Sequence, residues 1–273
     1  LTSNISKFQD YIINTFKNYS PDLVFFGHTN NLEKKTLLDF KEINNSVVLS
    51  HWNEDPIMPG LEYSKKNINN ISRYSKLVDH NFITTHPNVL KKQGIDDKNF
   101  HFIFIPVDKN IECFDVFNMN PVKDLFYAMS HGVNRGVLKK GKSDNRINFL
   151  NKLIKRINEI NYDFYGFENK DPIWGNEFYR SLINSKMGLN LSRGNPAKYY
   201  SSNRIASLVG NGLLTFVDKK TQLDDFFSKN EIVFYDNVDD LADKVKFFKK
   251  NEKSRIQIAK KGKKKYFKMF NEQ

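Results

Sequence analysis

Residues Tyr179–Asp218 read YRSLINSKMGLNLSRGNPAKYYSSNRIASLVGNGLLTFVD. A helical stretch around Asn176–Lys186 runs into a short apolar strand, Gly188–Ser192 (GLNLS). A polar loop of Arg, Gly, Asn, Pro and Ser follows, then a helix near Asn203–Val209 and a second strand, Gly212–Val217 (GLLTFV). Short apolar runs alternating with helical periods are the pattern of βαβ units, whose crossovers make a parallel sheet.

The same rhythm extends both ways. Downstream lie a strand at Glu231–Tyr235 and a helical end. Upstream are a strand at Asp124–Ser130 (DLFYAMS), a helix at Arg146–Ile160 and a strand at Tyr162–Phe167 (YDFYGF). The first half repeats it. An amphipathic Phe8–Phe16 leads through Pro21 to strand Asp22–Gly27, a helical stretch near Leu32–Glu42, and strands Ser46–Ser50, Asn81–Thr85 and Phe100–Val107. Residues 108–123 show little periodicity and read as a linker, which predicts domains at 1–118 and 119–273. No repeat at solenoid periods is visible. The predicted fold class is α/β: two Rossmann-like domains with parallel sheets.

The chain has 273 residues, 39% hydrophobic and 14% aromatic, enough to fill a core despite a mean hydropathy of −0.59. Cys113 is its only cysteine, so no disulfide scaffold exists within the chain. No apolar run approaches the roughly 18–20 residues of a membrane span. The opening LTSNISKFQDYIINTF has neither the cationic nor the apolar region of a signal peptide, and a cytoplasmic protein is expected. Leu1 is not a Met, so further residues are expected upstream.

The formal charge is +12, which favours an anionic partner. Lys244–Lys268 is strongly basic with apolar residues at helical spacing. This stretch reads as a solvated helix face or as a basic amphipathic helix on an anionic membrane. Nucleic acid is the less favoured partner, for lack of zinc-finger, RNP or helix-turn-helix signatures.

Ligands of open α/β sheets collect at the carboxyl ends of the strands, where helix N-termini present free amides. Two loops of the second half hold that position and carry phosphate-binding chemistry. In Ser130–Arg146, Gly132, Gly136 and Gly141 permit close backbone approach, and Arg135, Lys139, Lys140 and Arg146 supply charge. In Ser192–Arg204, Ser201, Ser202 and Asn203 are N-cap residues and Arg193, Lys198 and Arg204 are cationic. In the first half, His28, His51 with Asp55, and His86 follow apolar strand runs. Among them Asp55, beside Trp52, is the best placed by type to orient or deprotonate an acceptor hydroxyl. No HxH, DxD or HExxH occurs, so no metal is expected, and no G-x-S-x-G elbow suits serine hydrolysis.

The segment from YRSLINSKMGLNLSRG through YYSSNRIASLVGNGLLTFVD, with FFSKNEIVFYDNVDDLADKVKFF and RIQIAKKGKKKYFKMFN, resembles the C-terminal half of group 1 glycosyltransferases. It looks closest to the spore-maturation-protein-like branch with its R-x-x-E-x-x-x-x-G helix, Arg204 taking the Arg position and Gly212 the Gly. Ile258-Ala259-Lys260-Lys261-Gly262 matches its IA-x-x-G. HWNEDP (His51–Pro56) resembles the family's aromatic-x-x-Asp loop.

The resemblance implies a GT-B fold of two Rossmann-like domains facing a cleft. It also implies a nucleotide-sugar donor held by the C-terminal domain, no cofactor and no metal, and retention of anomeric configuration. The acceptor would be a glycan or a lipid-linked one, in glycan biosynthesis at the inner face of a membrane. By position, Arg135, Lys140, Arg146, Ser202, Asn203 and Arg204 would hold the diphosphate, and Gly166, Lys198 and Ser207 the nucleotide or sugar. The sequence departs from the pattern at Ser207, where the family has Glu; Glu168 and Glu177 are the nearest substitutes. A sugar-nucleotide epimerase, and a non-catalytic sugar-phosphate or nucleic-acid binding protein, are alternatives of the same architecture.

Overall fold

The computed structural model describes residues 2–27, 31–58, 62–95, 98–130 and 144–271. The chain divides into two compact units, Leu1–Ile103 and Phe104–Gln273.

The first unit contains α1 (Thr2–Tyr19), β1 (Leu23–Phe26), α2 (Lys34–Ile43), β2 (Val48–Asn53), α3 (Glu62–Tyr74), β3 (His80–Ile83), α4 (Asn88–Lys91) and β4 (Phe100–Phe102). The strands form one parallel sheet in the order β1-β2-β3-β4. Apolar residues at helical spacing bring α1 and α2 onto it. Phe16 stacks on Phe40 at 4.4 Å, and both bury with Leu37, Leu49 and Tyr74. The Asn-rich α3 escapes sequence reasoning because its formers are poor. Its helical state rests on tertiary anchors, Ile71 and Tyr74 in the core and the Tyr74 hydroxyl donating to the Leu32 carbonyl at 2.6 Å.

The second unit contains β5 (Lys123–Ala128), α5 (Asn145–Ile154), β6 (Tyr162–Tyr165), α6 (Gly175–Ile183), β7 (Ser185–Asn190), α7 (Arg204–Gly210), β8 (Leu214–Asp218), β9 (Val233–Tyr235), α8 (Val238–Lys250) and α9 (Glu252–Met269). Its five strands are parallel in the order β6-β5-β7-β8-β9. The order reverses direction between β5 and β7, so the carboxyl ends of these two strands form the switch point where such sheets bind ligands. The core runs from Leu125, Tyr127 and Met187 to Phe216 and Val245.

The predicted boundary after residue 118 moves back to Ile103. The apolar run FHFIFIPV is not one strand: β4 ends at Phe102, and the rest joins the second unit. There Phe104 packs against Phe227, Tyr266 and Phe270, with ring centroids 4.5–6.0 Å away. The predicted linker is likewise part of this unit's core, with Glu112 and Val116 buried and a 3-10 turn at Val116–Asn118.

The basic C-terminal stretch folds onto the second unit. Ala259, Gly262 and Tyr266 are buried. Gly262 of the IA-x-x-G motif abuts the Glu231 carbonyl so closely that a Cβ would stand 2.2 Å from it. Lys263 bonds the Phe114 carbonyl and Asp115, and Lys249 reaches Asp124. The apolar side of this helix therefore faces protein. Lys260, Lys261 and Lys264 of this helix, and Phe247 of α8, stay exposed. No helix among the described residues is long and apolar enough to cross a membrane.

Candidate functional site

The switch point of the second unit gathers two arginines around one tyrosine. Tyr127, fully buried near the end of β5, donates its hydroxyl to the Leu191 carbonyl just past β7, at 3.0 Å. Arg204, opening α7, lays its guanidinium over the Tyr127 ring, 4.8 Å from the centroid. Its Nε donates to the Ala128 carbonyl at 2.8 Å, and its Nη1 to the Leu191 carbonyl and the Ser202 hydroxyl at 3.2 and 3.1 Å. No carboxylate pairs with Arg204 among the described residues. Burial, and then the neighbouring charge of Arg146, push its pKa down. The desolvation of a partly buried cation without a carboxylate partner is offset when an anion arrives.

Arg146 is placed differently. It is 5% exposed at the start of α5 and already paired. Its Nε and Nη2 donate to the Asp144 carboxylate at 2.7–3.2 Å, and Nη2 also donates to the Ser130 carbonyl. Burial opposes charge on both partners. Tyr127 and Asp144 outweigh it to raise the Arg146 pKa, and the Arg146 bonds hold the Asp144 carboxyl below its ordinary value. Asp144 is also the N-cap of α5, accepting from the Arg146 amide at 3.0 Å. The end of α5 thus carries its own carboxylate, and Arg146 stands as a neutralised pair beside the free cation of Arg204. Arg193 approaches the same Asp144 at 4.0 Å.

Below Arg204, Asn190 at the end of β7 organises the turn into α7. Its amide donates to the Ser201 hydroxyl at 2.8 Å, and its carbonyl accepts from the Ser202 hydroxyl at 3.3 Å. The predicted N-cap role falls to none of these side chains: Asn203 occupies the cap position with helical backbone angles and makes no side-chain cap bond. The backbone amides of Ser202 and Asn203 have no hydrogen bond among the described residues, which leaves them open to a ligand. A hollow of about 140 Å³ lies alongside, lined by Arg146, Phe149, Asn190, Tyr200, Asp218 and Thr221.

The other expected residues scatter. Gly166 follows β6 at φ +71°, and a Cβ there would stand 2.0 Å from the Met129 carbonyl oxygen, so only glycine lets the β5 and β6 ends lie this close. Lys198 is exposed, its ammonium over the Tyr199 ring. Ser207 lies one turn into α7 beside Tyr179, which in turn neighbours the buried Glu112. Glu168 and Glu177 are exposed, and no contact joins them to Arg204 among the described residues. His28, Arg135 and Lys140 lie outside the described residues.

In the first unit, His51 is a core residue at 3% exposure, its ring 5.7 Å from Phe26 and 6.2 Å from Tyr74, rather than a group at a strand mouth. His86 is a turn residue whose Nδ1 accepts from the Asn88 amide. Asp55 sits half-buried on the loop after β2, where the Asn53 side chain bonds its carbonyl at 2.7 Å. Among the described residues no three His, Cys, Asp or Glu side chains cluster to hold a metal. Sequence reasoning missed Tyr127, Asp144, Asn190 and Asp218. Tyr127, Asn190 and Asp218 lie at or next to the carboxyl ends of strands, the one signal that marked them, and Asp144 caps α5.

Two parallel sheets in Rossmann-like units, with the switch point of the second one furnished in this way, define the GT-B glycosyltransferase fold. Residues 146–271 match the family model described as glycosyl transferase-like. Among solved structures, the Anabaena protein HepE in complex with UDP and glucose is 12% identical, with 96% of this chain and 77% of that one covered and a TM-score of 0.60. An alpha-glucosyltransferase bound to UDP-glucose and abasic-site DNA is 13% identical over 98% and 81% of the two chains, TM-score 0.65. The sucrose-phosphate synthase of Thermosynechococcus elongatus is 9% identical over 98% and 74%, TM-score 0.60. No curated protein matches the sequence. The family match is confined to residues 146–271, and the structural neighbours share the two-sheet GT-B fold over nearly the whole chain.

Proposed function

We propose that the protein transfers a sugar from a nucleoside-diphosphate sugar to a hydroxyl of a glycan or lipid-linked acceptor, without metal or cofactor and with retention of configuration. The observation that carries this reading is Arg204: a guanidinium without a carboxylate partner among the described residues, beside the open amides of Ser202 and Asn203, at the switch point of a parallel sheet. In the reaction the bond from the sugar C1 to the diphosphate oxygen breaks, the acceptor oxygen bonds C1, and its proton passes to a base. Negative charge grows on the leaving diphosphate, and preorganised cations and amides stabilise it more than they do the ground state. Arg204 supplies that charge; Arg146, held by Asp144, fixes Tyr127 and the wall beside it.

UDP is the nucleotide favoured by the ligands bound to two of the structural neighbours. The acceptor falls to the first unit, with Asp55 as its proton acceptor; His51, buried in the core, is set aside. The exposed lysines of α9 suit an anionic cytoplasmic membrane surface. A thermal-shift panel of UDP, GDP, CDP and ADP and their sugar conjugates, with and without Mg²⁺, tests the reading. A ligand at about 100 times its dissociation constant adds roughly 2.7 kcal/mol. Stabilisation by one nucleotide irrespective of Mg²⁺ is expected; none with any of them removes the reading. Product analysis with and without acceptor separates transfer from epimerisation, which needs no acceptor.

A further inference from the structure

Among the described residues, the apolar clusters of the first unit lie on one face of its sheet. They join Leu49, Ile83 and Phe100 of the strands to Phe16, Phe40 and Leu90 of the helices. Side chains alternate along a strand, so His80, Phe82 and His101 stand on the opposite face. The register sets Phe82 beside His101, which puts His80 diagonally across from it on the neighbouring strand. Both histidines are exposed, and His80 Nδ1 lies 3.1 Å from His101 Nε2. The half-buried Phe82 ring backs the pair, its centroid 6.4 Å from that of His80 and 5.4 Å from that of His101.

Two imidazole nitrogens at this distance share one proton, one donating and the other accepting. The same separation is that of neighbouring ligands on a metal ion. Nitrogens about 2.0–2.1 Å from a metal stand roughly 2.9–3.4 Å apart at bond angles of about 90–110°. The ring torsion of histidine is broad, so a small rotation turns both lone pairs to one point. Imidazole suits zinc, copper and nickel, whereas magnesium and calcium prefer oxygen. Asp79, which precedes His80, is engaged elsewhere: its carboxylate accepts from Lys41 and from the Leu49 amide, both at 2.8 Å. Among the described residues no third ligating side chain joins the two.

We infer that His80 Nδ1 and His101 Nε2 together bind one divalent ion of the zinc, copper and nickel group, with water in its remaining positions. The ion takes the place of the shared proton and clips β3 to β4. The site belongs to the first unit alone and has no part in sugar transfer, so it is independent of the function proposed above.

Calorimetric titration of the tag-free chain with Cu²⁺, Ni²⁺ and Zn²⁺, and with Mg²⁺ as control, tests it on the wild type, His80→Gln, His101→Gln and the double variant. Melting temperatures measured without metal establish that the variants fold. At the tightest site the wild type should take one ion per chain and ignore Mg²⁺. Either single substitution should weaken the ion roughly tenfold or more, and the double one little further, because one substitution already destroys the chelate. Electron paramagnetic resonance of the Cu²⁺ complex should show coupling to one fewer nitrogen in each single variant than in the wild type. Two ions per chain, one lost in each single variant while the other keeps its affinity, would make the histidines separate surface ligands and overturn the inference. Binding unchanged in the double variant, or no binding by the wild type, overturns it as well.

Discussion

The guanidinium of Arg204 lies on the ring of Tyr127, and both groups donate to the same Leu191 carbonyl. Cation–π contact and shared acceptor fix the arginine without neutralising it. Arg204→Ala should therefore lower the rate of transfer by about 10²–10³-fold, the usual loss when one donor to a developing oxyanion is removed. Arg204→Lys should recover only part, because an ammonium cannot serve the Ala128 and Leu191 carbonyls and a phosphate with one planar fork. Steady-state kinetics with equal activity for Arg204→Ala and wild type would dismiss the assignment.

Tyr127→Phe removes the hydroxyl that ties β5 to the Leu191 carbonyl. A loss of about 1 kcal/mol in stability is expected by urea unfolding, from one hydrogen bond whose partner remains buried.

Asp144 and Arg146 form a buried pair, 5–6% exposed on either side. Removing one partner strands the other, so Asp144→Ala should cost about 3–5 kcal/mol. The pH dependence has a definite sign. The folded-state pKa of Asp144 lies below its ordinary value of 3.8, so its contribution is complete above that pH and disappears as pH falls through the folded value. Urea unfolding between pH 6 and pH 2 should show a shallower acid limb for Asp144→Asn than for wild type. Identical slopes would mean that Arg146 does not hold this carboxylate.

Gly166→Ala places a Cβ 2.0 Å from the Met129 carbonyl at a φ of +71°. Clash and backbone strain together should destabilise the second unit by at least about 2 kcal/mol. Differential scanning calorimetry reads this as a lower melting temperature, and an unaltered one would show that the β5 and β6 ends separate freely.

Chelation with EDTA should leave transfer unchanged if, as proposed, Arg204 and the adjoining backbone amides carry the charge that develops on the leaving diphosphate. Activity abolished by EDTA and restored by Mg²⁺ or Mn²⁺ would show that a metal assists the leaving group.

Charge reversal at the exposed Lys261 and Lys264 should abolish binding to anionic liposomes without affecting the melting temperature; Lys260 is left intact because its ammonium lies over the Phe117 ring. Lys263 is excluded from the set because it bonds Asp115 and the Phe114 carbonyl. Absence of wild-type binding would remove the membrane surface as a partner.

The strands were legible because each is a short apolar run closed by Gly, Pro or polar residues, and the parallel order follows from the helices between them. The place of Ser202, Asn203 and Arg204 at the opening of a helix after a strand was legible from the polar run that precedes an apolar helical period. Asp144 and Asp218 were not, because a carboxylate beside a predicted anion site looks unfavourable until its partners are seen. His51 misled for the opposite reason: a polar residue on a strand does not declare which face it takes.

The sequence by itself determined two parallel-sheet halves, their strand order along the chain and the basic loop that opens α7, since periodicity and turn residues are local properties. Only the tertiary structure decided that Phe104–Val107 belongs to the second unit, where the aromatic rings of Phe227, Tyr266 and Phe270 close over Phe104. It also decided which cation is available. Arg146 and Arg204 are equivalent as letters, but Asp144 lies two residues before one and, among the described residues, no carboxylate reaches the other, and electrostatic compensation is a property of position in space.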